Sequence, residues 1–373
     1  MGRHKLHVLK AARAARRGLP RARGLWLAFF LLAWAAFSPS GRALAQAASP
    51  TGPAGPAAAG RLSAWIADWD LTRGLAEWRA HPGLFDEIRV FAAYFDEKDR
   101  PYLAPEWAAL LGSDARAVFG RTPVFLTVVN DLVTASGQGN RLKDPELARR
   151  LVSGPEARAR HIATLLALAA RYGFSGLEID YEEVPAPVWP EFLLFVSELQ
   201  TQARARGLAL SVLLQPQRRY LAAPLPAGPD YVLMGYNLFG SHSGPGPKAT
   251  PAFLAEQAAA LRALGALEAT GLALSTGGFD WTGGKAARQL DEAEAGALLA
   301  RTKAATTRSA DDGYLVSRYR DGKGQDHEVW HADAKTLATL WTAARSAGFG
   351  RLVVWRLGGN PPALFDWLAT LKH

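Results

Sequence analysis

Phe174-Ser175-Gly176-Leu177-Glu178-Ile179-Asp180-Tyr181-Glu182-Glu183-Val184-Pro185 is the stretch whose reading decides the fold. At the two-residue period of a strand, Leu177, Ile179 and Tyr181 fall on one face and Glu178, Asp180 and Glu182 on the other. Alternate side chains on a strand lie about 6 to 7 Å apart, so three carboxylates on one side feel one another's charge, and a proton on one relieves the rest. A glutamic acid in such company becomes a proton donor near neutral pH. A solvated edge strand shows the same alternation, so the pattern needs its context before it means chemistry.

The context lies on either side. Strand-like runs at 63–69, 87–95, 123–129, 176–182, 208–215, 231–237, 272–276 and 351–357 alternate with helix-like ones, the pattern of a parallel sheet built from βα units. Two of the helices are plain in the spacing: 154–172 carries Ile162, Leu165, Leu166 and Ala169 on one face, and 189–206 carries Phe192, Phe195, Leu199 and Ala203. Eight strands in this order predict an α/β chain folded as a (β/α)8 TIM barrel. Active-site groups in such barrels stand at the C-terminal ends of the strands, and Glu182 ends the fourth. The stretch 282–333 is too long for a βα loop and carries a helix near 291–305 and further strand-like runs, which predicts a small α+β insertion between the seventh strand and its helix.

With 373 residues, 49% of them hydrophobic, the chain has enough material for one barrel of ~250 residues with decoration. Cysteine is absent, so disulfides and thiolate metal sites are excluded. The net charge of +9 would suggest nucleic acid if it were spread over the chain. Nine of the 43 basic residues and none of the acids fall in 1–45, which leaves 34 basic against 34 acidic residues elsewhere and removes the basis for a nucleic-acid partner. That leader has a basic run, an apolar segment from Leu25 to Phe37 and Ala43-Leu44-Ala45 before Gln46, the layout of a signal peptide over 1–45. The apolar segment falls short of the ~20 residues of a spanning helix, although an uncleaved anchor is the alternative. Residues 46–60 are a Pro/Ala/Gly-rich linker, and the folded barrel is expected over 61–373. Export would make the protein periplasmic or secreted, with no membrane contact beyond the leader, and a monomer is expected.

The run Ser175-Gly176-Leu177-Glu178-Ile179-Asp180-Tyr181-Glu182, with Phe174 before it and Pro185 after, resembles the DGxDxDxE signature of glycoside hydrolase family 18. That family includes chitinases and bacterial cell-wall N-acetylglucosaminidases, and the present sequence looks closer to the cell-wall group. Ser175 stands where the first Asp is usual and Glu178 where Asp or Asn is usual; Asp180 and Glu182 match. Met234-Gly235-Tyr236-Asn237 resembles the sixth-strand Met-x-Tyr-Asp, with an uncharged amide in place of the acid. Val353-Val354-Trp355-Arg356-Leu357-Gly358-Gly359 resembles the last strand, whose Trp floors the sugar subsite, and 277–281 resembles the loop after the seventh.

The resemblance implies Glu182 as acid and base, Asp180 as the group that holds the substrate's acetamide, and Tyr236 as a donor to its oxygen. Glu178, Gln215, Met234, Asn237 and Trp355 would bind substrate, a polysaccharide containing N-acetylglucosamine such as peptidoglycan or chitin. The family needs no cofactor or metal. A carbohydrate-binding relative that has lost turnover is the competing reading, though such lectins usually lack the acid at the position of Glu182. His327-Glu328-Val329-Trp330-His331 matches the zinc pattern HExxH, but a turn precedes it and Val-Trp favours a strand, which would hold the two histidines about 13 Å apart.

Overall fold

The computed structural model describes residues 60–134, 139–221 and 223–372; the expected leader, and all of the expected linker but Gly60, lie outside them. Among the described residues no helix is long and apolar enough to cross a membrane. Eight parallel strands, Leu62–Ala67, Glu87–Phe95, Val124–Leu132, Gly176–Asp180, Ala209–Leu214, Asp230–Met234, Thr270–Ser275 and Leu352–Trp355, follow one another round a barrel. The first pairs with both the second and the eighth, so no edge is left open. Closure satisfies the strand-edge N–H and C=O groups that an open sheet would leave bare.

The alternation read in the sequence sorts the two faces. Leu177 and Ile179 join Ala64, Ile66, Val90, Leu126 and Val128 in the layer beneath the helices, while Trp65, Leu213, Val232, Met234, Tyr236, Ala273 and Val353 fill the lumen. The helices Pro155–Arg171 and Trp189–Arg204 bury the residues their spacing predicted: Ile162, Leu165, Leu166 and Ala169 on one, Phe192, Phe195, Leu199 and Ala203 on the other. Each has Pro in its first turn, where the missing N–H has no helical partner to lose. Gly176 is required by closeness: a Cβ there would lie 2.6 Å from Phe125 Cε1 and 2.8 Å from Ala209 O.

Several bounds differ from the sequence expectation. The fourth strand stops at Asp180, two residues before Glu182, and the sixth stops at Met234, before Tyr236. A short strand, Pro101–Leu103, adds antiparallel to the end of the second and was not anticipated. The stretch 277–281, expected as a loop, opens the inserted lobe as the strand Gly277–Thr282. It pairs with Ala286–Leu290 and Asp326–Ala332, and the five-stranded antiparallel sheet continues through Leu315–Arg320 to Thr306–Arg308, with the helix Glu292–Thr302 on it. Two glycines admit this pairing; a Cβ on Gly278 would sit 1.8 Å from Trp330 O. Chain returns to the barrel through Ala334–Ala347, whose first turn is capped by Asp333 accepting from Thr336 N.

Candidate active site

The acid-bearing strand end is held from the neighbouring strand. Asn130, fully buried in the third strand, accepts from Glu182 N through Oδ1 (2.9 Å) and donates through Nδ2 to Glu182 O (2.9 Å) and Asp144 O (3.2 Å). Past Asp180, the last residue in register with Val129, the ladder is replaced by these side-chain bonds. They satisfy the backbone groups of Glu182 in place of a strand pairing and leave its carboxyl to other partners.

Asp180 is 4% exposed and its Oδ1 has no hydrogen-bond partner. Burial first, then the charge of Glu182, pushes its carboxyl well above the usual range, against an opposing pull from Lys143. Glu182 Oε2 accepts from Gln215 Nε2 at 2.8 Å and pairs with Lys143 Nζ at 2.6 Å. Gln215 also accepts from Glu183 N at 3.0 Å, so one amide braces the acid and the turn after it. Tyr236 is buried, and burial, Asp180 and Glu182 together push its hydroxyl well up, so it stays a neutral donor.

Aromatic rings wall the mouth. Half-buried Trp355 lies 6.5 Å from Tyr236 in near-parallel stacking, and meets Trp65 at 5.6 Å, Phe91 at 5.1 Å and Trp69 at 6.2 Å. Trp69 is 46% exposed, an unusual placement for so large an apolar surface. Met234 belongs to the same lumen cluster as Tyr236. Asn237 is exposed and takes a left-handed φ of 74°, a conformation Asn tolerates better than most residues.

Glu178 does not reach this mouth. It has no exposed surface and lies one layer deeper, where its Oε1 accepts from Trp65 Nε1 (2.7 Å) and Thr127 Oγ1 (2.8 Å) and its Oε2 accepts from Ser211 Oγ (3.1 Å) and pairs with Arg89. The substrate contact and the coupling to Asp180 expected of it are corrected by this geometry: its charge is spent on a buried guanidinium. Arg89 is itself lowered to about 10, chiefly by burial, and makes further bonds to Ser63, Ser211 and Glu87.

Sequence reasoning missed Asn130, Asp131, Lys143, Asp68, Trp69 and Phe91. Asp131 and Asp68 are each raised to about 6, mainly by burial, and Asp68 accepts from Tyr94 OH at 2.8 Å. The polar pair Asn130-Asp131 at the end of an apolar strand was the available signal, since the same strand-end rule that singled out Glu182 applies to it. His327 and His331 lie on the strand Asp326–Ala332, as their context predicted. His327 Nδ1 bonds Asp280 (2.8 Å) and Tyr319 OH (3.0 Å), and among the described residues no group of three or more His, Cys, Asp or Glu could hold a metal.

An eight-stranded parallel barrel with an acid past its fourth strand and a lobe after its seventh is a chitinase-like fold. The chain overlays on a chitinase from Chromobacterium violaceum with a TM-score of 0.71 at 20% identity, covering 84% of this chain and 99% of that one. It overlays on the spore cortex-lytic enzyme SleL of Bacillus cereus with a TM-score of 0.71 at 17% identity, covering 83% and 73%. In sequence it is 25% identical over 247 residues to the cortical fragment-lytic enzyme of Bacillus subtilis (strain 168), 61% of this chain and 56% of that protein. The chain thus spans little more than half the length of that curated relative. It matches no protein-family profile.

Proposed function

We propose that the protein is an exported glycoside hydrolase that cleaves β-linked, N-acetylglucosamine-containing polysaccharide with retention, using the substrate's own acetamide as nucleophile. The observation that carries the reading is the pair at the end of the fourth strand: Glu182, braced by Gln215, beside buried Asp180 with an oxygen left unbonded, under Tyr236 and Trp355. The chitinase and cortex-lytic relatives support the same substrate class.

The steps follow from what each group offers. Trp355 and its neighbouring rings stack on the apolar face of the sugar. The unbonded Asp180 oxygen accepts the acetamido N–H and aims the carbonyl oxygen at the anomeric carbon, while Tyr236 donates to that oxygen. The carbonyl oxygen attacks, the bond to the leaving oxygen breaks, and Glu182 gives its proton to that oxygen. Asp180, held where water is scarce, offsets the positive charge of the oxazolinium-like intermediate. Water then attacks the same carbon from the vacated side, Glu182 takes its proton, and the acetamide is restored with the anomeric configuration retained.

Glu182→Gln tests this on N-acetylglucosamine oligomers: turnover should fall by about 10³-fold or more while binding, read by calorimetry or tryptophan fluorescence, stays measurable. Retention of most of the activity refutes the assignment. Binding by the unmutated protein without any turnover would make it a lectin-like relative.

A further inference from the structure

The contact of Lys143 with Glu182 has no part in the steps above. Lys143 reaches the acid from the loop after the third strand, whose base is closed by backbone bonds between Leu132 and Arg141 (2.8 and 2.9 Å). Its backbone is in the left-handed region (φ 53°), and its N–H donates to Asp131 Oδ1 at 2.7 Å. The loop therefore holds the lysine where its ammonium meets Glu182 Oε2 at 2.6 Å, with 41% of its side chain open to solvent.

This placement has a consequence for substrate choice. To protonate the leaving oxygen, the Glu182 carboxyl must touch the bond between the two sugars, so the leaving sugar lies within a few ångströms of the Lys143 ammonium. Once Glu182 carries its proton, the lysine loses its counter-charge. The other acids around it are Asp131, Asp180 and exposed Glu183. Asp131 is taken up by the Lys143 N–H and Asp180 faces the acetamide in the steps above, while the ion-pair partner of the ammonium itself is Glu182. A carboxylate on the leaving sugar would supply the missing charge at the moment it is needed.

We propose that Lys143 selects a leaving sugar bearing a carboxylate, so that the substrate is an acidic heteropolymer of amino sugars rather than a neutral homopolymer. The inference rests on the hydrolase reading above and names the substrate class for it. Lys143 acts as a specificity-determining residue on the leaving-group side.

The test compares kcat/KM on peptide-free glycan strands, in which N-acetylglucosamine alternates with its 3-O-lactyl ether, against N-acetylglucosamine oligomers of equal length. A third substrate, the same strands with the lactyl carboxylates methyl-esterified, changes charge without mutation. The unmutated protein should favour the acidic strands by about 10-fold over both neutral substrates, a typical gain for one partly buried ion pair. The ratio should fall to near one in Lys143→Met and return in Lys143→Arg, and added salt should reduce it. Equal kcat/KM on acidic and esterified strands overturns the assignment and leaves the hydrolase reading standing, as does a preference that survives Lys143→Met. Cleavage of none of the three overturns both.

Discussion

Glu178→Gln separates a structural acid from a catalytic one. Gln keeps the size of the side chain and can still accept from Trp65 and Thr127 through its carbonyl, but its amide nitrogen then faces the Arg89 guanidinium, donor against donor. Arg89 is left fully inside the barrel with the more distant Glu87 Oε2, at 3.3 Å, as its remaining carboxylate. Removing one partner of a buried pair costs about 3–5 kcal/mol. In a domain of this size that lowers Tm by roughly 10 °C. Calorimetry at pH 7 reads the first effect, and kcat at 25 °C, well below the transition, reads the second. The expected result is the Tm loss with kcat within about threefold of the unmutated protein. A Tm within about 2 °C together with a kcat loss above 100-fold would mean that Glu178 works on the reaction, and the layered arrangement would be refuted.

Asn130→Ala removes three hydrogen bonds and leaves the Glu182 N–H buried without a partner, a cost of about 1–3 kcal/mol. It also frees the acid's backbone, and a misplacement near 1 Å costs about 100-fold, so steady-state kinetics should show kcat falling by that order with KM changed far less. His331 gives a pH prediction. Both ring nitrogens lack partners and burial lowers it to about 4, so the imidazole folds uncharged. Its contribution is whole above the unfolded value of 6.5 and is lost as pH falls towards 4, about 3 kcal/mol in all. Denaturant melts across this window should lose most of that slope in His331→Leu; an unchanged slope would assign it to another group, His161 being the other deeply lowered histidine.

The barrel was legible because each strand carries its own alternation and each helix its own spacing, and those patterns sit a few residues apart in the chain. The lobe after the seventh strand was legible as excess length, while its opening strand Gly277–Thr282 was not, since its partner Asp326–Ala332 lies some fifty residues on and the two glycines that admit the pairing look like loop residues until both strands are in place. Within the site, Asp180, Glu182, Gln215, Tyr236, Met234 and Trp355 come together around one mouth, each from a strand end. Asn130 and Lys143 escaped notice because an asparagine ending a strand and a lysine in a loop are ordinary until something is found against them.

What the chain by itself determined was direction: Glu178 and Asp180 point into the barrel because side chains on a strand alternate, a property of the covalent backbone, whereas Glu182, two residues past the strand end, is held by the Asn130 side chain. Depth and company were left to the tertiary structure. Three acids on one face meet three environments: a guanidinium 89 positions earlier in the chain, a water-poor wall with one oxygen unbonded, and a lysine and an amide at the rim. Charge acts through space and not along sequence, so only the closing of the barrel decided which partners each of them met.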